Sequence, residues 1–165
     1  MTPSISVACF DKGIWIRVTG RGCFECSANL KEYVMMMMQK DYHEFVIDLI
    51  NCEQMDSTFM GTITGIAQRL SQDEQGTLRV INVSEKNEQL IENLGLNHLF
   101  LLQPLSLGYE SPPVGDNLHF CKAISPYQND EKSFRRELLL SSHKALVAAN
   151  KANAAKFQDL FELIC

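Results

Sequence analysis

The chain has 165 residues, 45% of them hydrophobic, with 5 prolines and 9 glycines: material for one packed core and too few breakers for a disordered bulk. Fifteen basic residues against 20 acidic ones give a net charge of −5, which argues against a nucleic-acid partner held by a basic face. No stretch approaches the roughly 20 apolar residues of a membrane span, and no basic leader precedes an apolar run, so a cytoplasmic protein with no membrane partner is expected.

Ile5 to Phe10 alternates apolar with small or polar residues, Asp11-Lys12-Gly13 is a turn signal, and Ile14, Ile16 and Val18 fall on one face of the next run. This predicts a β-hairpin. Just beyond it stands the one C-x-x-C pair, Cys23 and Cys26; Cys9, Cys52, Cys121 and Cys165 are scattered. A structural zinc site needs four ligands, and His43, His98, His119 and His143 show no ligand spacing with that pair. No metal and no cofactor is expected, and the cysteines read as reduced and half-buried. Ser27 can cap a helix whose Leu30, Val34, Met37 and Met38 repeat at helical spacing, a core face rather than a ligand box.

Phe45 to Ile50 reads as a buried strand. A helix from Ser57 to Ser71 follows, with Phe59, Ile63, Ile66, Ala67 and Leu70 in one stripe. After Gly76, Leu78 to Val83 is a strand, Ser84 opens a helix faced by Leu90, Ile91 and Leu94, and Gly95 stops it. Phe100 to Leu102, with Leu105, supplies a last strand. The order ββαβαβαβ requires crossovers, hence an α/β fold with a mixed sheet whose parallel part is backed by helices.

Residues 106–129, with Pro112-Pro113 and Gly115, read as a connector between a domain over 1–105 and a helical extension over 130–165, broken near Ser141-Ser142. Phe134, Leu138, Leu139, Leu146, Phe157, Leu160, Phe161 and Ile164 need a surface, either the chain's own sheet or a second copy in a homodimer.

The most informative stretch is the buried strand leading through a short loop into a helix opened by Asp56-Ser57-Thr58. The plain role of these three is capping, because each side chain can accept from the orphan N–H groups of the first turn. The same geometry sets a hydroxyl at the end of the sheet, where a phosphate would meet free N–H groups and the positive end of the helix dipole.

This segment resembles the signature of the STAS family (sulfate transporter and anti-sigma factor antagonist): a hydrophobic strand ending in Asp48-Leu49, then Met55-Asp56-Ser57-Thr58 and Gly61. Gly20, Ala28 and Leu30 fit the family's lead into its first helix, and the resemblance spans roughly Ile5 to Leu105. It implies a STAS-like fold and the role of a bacterial anti-sigma factor antagonist, not an enzyme. Such a protein binds an anti-sigma factor with serine kinase activity, is inactivated by phosphorylation at the motif serine, here Ser57, and is reset by a serine phosphatase. Asp56, Ser57, Thr58, Met60 and Gly61 are then the partner-binding residues. About −2 charges added beside Asp56 in a contact surface would repel and need desolvation. One departure from the family is Phe59, where many antagonists have glycine; its place in the helix stripe turns it toward the core.

Two other readings use the same residues. In one, the domain is a docking scaffold that is never phosphorylated and Ser57 is only a cap. In the other, a small α/β hydrolase or transferase uses Cys52 or Ser57 with a histidine at the carboxyl end of the central strand. No Gly-x-Ser-x-Gly elbow, Walker loop, Gly-x-Gly-x-x-Gly or His-Glu-x-x-His motif accompanies it.

Overall fold

The structure is a computed structural model that describes residues 2–113, 115, 117–120 and 131–164. Cys165 and residues 121–130, which include Cys121, the end of the connector and the first residue of the extension, lie outside them. Period-2 alternation makes β1 (Ser4–Phe10) and β2 (Gly13–Gly22) an antiparallel hairpin whose turn holds Asp11 at φ 43. There follow α1 (Phe24–Gln39), β3 (Glu44–Met55), α2 (Ser57–Leu70), β4 (Thr77–Val83), α3 (Glu85–Asn93) and β5 (Leu101–Pro104). A single 3-10 turn at Leu105–Leu107 leads on to β6 (His119–Phe120), α4 (Glu131–Ala149), α5 (Asn153–Lys156) and α6 (Gln158–Ile164).

Among the described residues the strands form one six-stranded sheet in the order β5-β4-β3-β2-β1-β6, parallel from β2 to β5 and antiparallel at β1. This is the expected mixed α/β sheet of ββαβαβαβ order. Its alternation divides the core in two. Ile14, Ile16, Val18, Phe45, Ile47 and Leu49 pack with Leu30 and Val34 of α1, Phe59 and Ile66 of α2, Ile91 of α3 and Leu146 of α4, so the helices share one face. A smaller cluster of Ala8, Trp15, Val46 and Ile81 lies on the other face.

On that second face the fully buried Asp48 carboxylate accepts from Trp15 Nε1 (3.1 Å), Arg17 Nε (2.9 Å), Asn82 Nδ2 (2.9 Å) and the Ile50 amide (3.0 Å). Asn82, at φ 54, also exchanges two 2.8 Å hydrogen bonds with the Glu110 backbone, and Arg79 pairs with the Glu110 carboxylate. The chain after β5 is thereby fastened over the sheet.

Several boundaries differ from those read in the sequence. Helix α1 starts at Phe24 with Cys23 as an N-cap whose side chain makes no capping bond, while Ser27 sits inside the helix and donates to the Cys23 carbonyl at 2.8 Å. Strand β3 continues to Met55, because Gly20 to Gly22 of β2 remain paired to it. Helix α4 runs unbroken through Ser141-Ser142, whose hydroxyls bond back to the Leu138 and Leu139 carbonyls at 3.2 and 3.1 Å and leave nothing unsatisfied. The break falls at Asn150, whose Oδ1 accepts from the Ala152 amide at 3.1 Å. Strand β6 lies in the stretch read as pure connector. The extension docks on α2, not on the sheet.

Candidate functional site

Strand β3 delivers the chain to the rim of the sheet, where the Asp56 amide donates to the Gly22 carbonyl at 2.9 Å. Asp56 is extended (φ −91, ψ 173), its carboxylate accepts from the Phe59 amide at 2.8 Å, and its carbonyl accepts the first helical bond from Met60 at 3.0 Å. Asp56 is thus the N-cap of α2. With the cap supplied, the half-buried Ser57 has its hydroxyl free for another partner. Thr58 and Gly61 are buried, and Met60, 5% exposed, packs with Met55, Ile63, Ile91, Leu96 and Phe100 in the core. Phe59 is fully buried against Gly22, where a Cβ would come within 2.9 Å of the ring, so its bulk is absorbed inside the molecule.

The partner of Ser57 comes from a residue that the sequence reading left without a role. Ser57 Oγ lies 2.9 Å from His143 Nε2, an arm of α4 reaching back across 86 positions. His143 Nδ1 is 2.7 Å from the Leu139 carbonyl, which can only accept. The imidazole proton therefore sits on Nδ1, and the bare Nε2 accepts from the serine hydroxyl. Burial pushes the His143 pKa below its ordinary value, against opposing effects of the Leu139 carbonyl and the Asp56 carboxylate, so the ring is neutral near pH 7.

The surrounding seam is built from small residues. A Cβ on Gly61 would collide with the Ser142 carbonyl, one on Gly65 would lie 3.8 Å from the Ala145 Cβ, and Gln68 Nε2 donates to the Ala145 carbonyl at 3.1 Å. Gly61 and Gly65 stand four apart on α2, and Ser142 and Ala145 three apart on α4. That spacing of small residues was the signal available in the sequence for this pairing.

A serine hydroxyl bonded to a neutral imidazole has the form of a nucleophile and its base. Two clefts flank α4, of about 470 Å³ along α2 and about 380 Å³ along α1, and Ser57 lines neither. Cys52 is buried, and that burial raises its pKa; Cys26 is pushed up to about 12, chiefly by burial. Both stay thiols, the opposite of a nucleophilic or redox cysteine. Among the described residues no three His, Cys, Asp or Glu side chains converge as metal ligands, and no helix is long and apolar enough to cross a membrane.

The STAS domain family model matches residues 5–111. The anti-sigma-B factor antagonist of Staphylococcus epidermidis is 28% identical over 99 residues, which span 60% of this chain and 91% of that protein. A crystal structure of a Thermotoga maritima protein, named for the anti-sigma factor antagonists, superposes with a TM-score of 0.55 at 19% identity. It covers 60% of this chain and 85% of that one. An NMR structure of that protein gives 0.53 at 20% identity, covering 61% of this chain and 82% of that one. Identities this low show a shared fold.

Proposed function

This chain belongs to the STAS domain family, and from that premise we propose that it is an anti-sigma factor antagonist whose contact with an anti-sigma factor is switched by phosphorylation of Ser57. The observation that carries the reading is the division of labour at the start of α2. Asp56 takes the capping duty, and Ser57 is left on the rim of the sheet with a hydroxyl that no structural role of the helix start consumes. A phosphate there would face the orphan amides of the first turn, which suit it electrostatically, and would set about −2 charges beside Asp56 in the contact surface. The modified helix keeps its fold while the contact with the anti-sigma factor is lost. The kinase is the anti-sigma factor itself, and a serine phosphatase reverses the step.

Asp56, Ser57 and the seam over Gly61 form the partner surface in this reading; Met60 shapes it only from beneath. Ser57→Ala should bind the purified anti-sigma factor kinase of the source organism as the wild type does and take up no labelled phosphate. Ser57→Asp should remain folded and bind at least tenfold more weakly. Label still entering Ser57→Ala, or unchanged binding by Ser57→Asp, would count against the assignment.

A further inference from the structure

The surface that the antagonist reading needs is occupied in this structure by the chain's own α4. Three observations describe the occupation. His143 takes the Ser57 hydroxyl at 2.9 Å. Ser142 lies so close over Gly61 that no Cβ fits between them. Gln68 is tied to the Ala145 backbone at 3.1 Å. The face of α2 from Ser57 to Gln68 is thus a groove floored by glycine that accepts a helix, and the helix lying in it belongs to the same molecule.

The seat of α4 extends along its whole length. Its far end is anchored: Leu146 is fully buried in the main core, and Asn153 Nδ2 donates to the Leu94 and Leu146 carbonyls, each at 2.9 Å. Nearer its start Leu138 is buried, the Phe134 ring meets that of Phe24 edge-on at 6.3 Å, and the Arg135 guanidinium lies over the Phe24 ring. Surface clefts of about 470 Å³, running along α2 from Gly61 to Gln72, and about 380 Å³, along α1 around Met35 and Phe134, border it on either side. Over the Ser57–Gln68 face itself the seat runs through small residues and two hydrogen bonds, so lifting the helix there breaks few specific contacts.

We propose that α4 is a built-in competitor of the anti-sigma factor, which binds the Ser57–Gln68 face of α2 by presenting a helix of its own in place of α4. The inference rests on the antagonist reading and adds its regulation. With α4 seated, the half-buried Ser57 hydroxyl is engaged by His143 and the groove is full. With α4 lifted, both become available. Affinity for the partner is lowered by the fraction of time α4 is seated.

The Cβ separation of 3.8 Å between positions 65 and 145 suits a disulfide. The full-length double variant Gly65→Cys/Ala145→Cys, oxidised and mapped by peptide mass, locks α4 down, and a thiol reductant frees it. Wild type given the same oxidant controls for the native cysteines. The locked form should bind the purified anti-sigma factor kinase at least tenfold more weakly than the reduced form; equal affinity would overturn the proposal. A second measurement needs no partner. In the wild type, amides of α4 should exchange with deuterium at least tenfold faster than those of β3, because α4 lifts without global unfolding. Exchange of α4 at the β3 rate would show it to be an inseparable part of the core. If α4 opens and the reduced form still binds no anti-sigma factor, the antagonist reading fails and the competition fails with it, a result distinct from a helix that never lifts.

Discussion

His143 carries its proton on Nδ1 because the Leu139 carbonyl demands a donor, so only Nε2 remains to receive the Ser57 hydroxyl. Protonation would place a second donor against that hydroxyl inside a buried site. Burial already holds the folded pKa below its ordinary value near 6.5, so the folded state binds fewer protons than the unfolded one. Stability linked to this group is therefore fully present above about pH 6.5 and declines as pH falls through the lowered folded value. Melting temperatures should fall more steeply between pH 7 and pH 5 in the wild type than in His143→Gln, whose side-chain oxygen can still accept from Ser57; parallel pH profiles would contradict this. Asp56→Ala should cost about 1 kcal/mol in denaturant melts through loss of the cap, and Asp56→Asn much less. Asp48→Ala should cost more, about 3–5 kcal/mol, because it strands the Arg17 guanidinium at a buried site. Ser57 was legible in the sequence, since strand, short loop and Asp-Ser-Thr helix start are adjacent. His143 was not, because a single histidine among helical polar residues carries no mark of a contact 86 positions away.

For elements, the contrast between two glycines of α2 is informative. Alanine is the better helix former by about 1 kcal/mol, so either Gly→Ala change should favour α2 taken alone. At Gly65 the added methyl makes ordinary contact with Ala145, and Gly65→Ala should be neutral or stabilising. At Gly61 it meets the Ser142 backbone, and Gly61→Ala should lower the melting temperature and speed exchange along α4. Equal behaviour of the two variants would mean that α4 does not rest on Gly61. The helices and strands of the first hundred residues were readable because their apolar periods of 3.6 and 2 are local properties of the chain. The misread break at Ser141-Ser142 came from weighing serine as a helix breaker, when a hydroxyl that bonds back to its own turn tolerates a helix interior. Two-residue β6 has no period to detect, and its pairing with Ser6 and Val7 of β1 is non-local.

The whole molecule gathers its helices on one face of the sheet and fastens the segment near Glu110 across the other. With the main face filled by α1, α2 and α3, the apolar side of the extension found its surface on the helix layer, above the very motif that marks the family. The sequence predicted that the extension must bury itself; which surface would receive it depended on a match of small residues between two distant helices. A net charge of −5 disfavours contact with polyanions. In the proposed reading, function and regulation converge on one face of α2. The most direct test is hydrogen exchange of the full chain with and without the purified anti-sigma factor kinase. The complex should slow exchange over residues 57–68 while speeding it over 131–149, as the partner replaces α4. A complex that leaves both segments unchanged and instead protects the β1–β6 edge would contradict it.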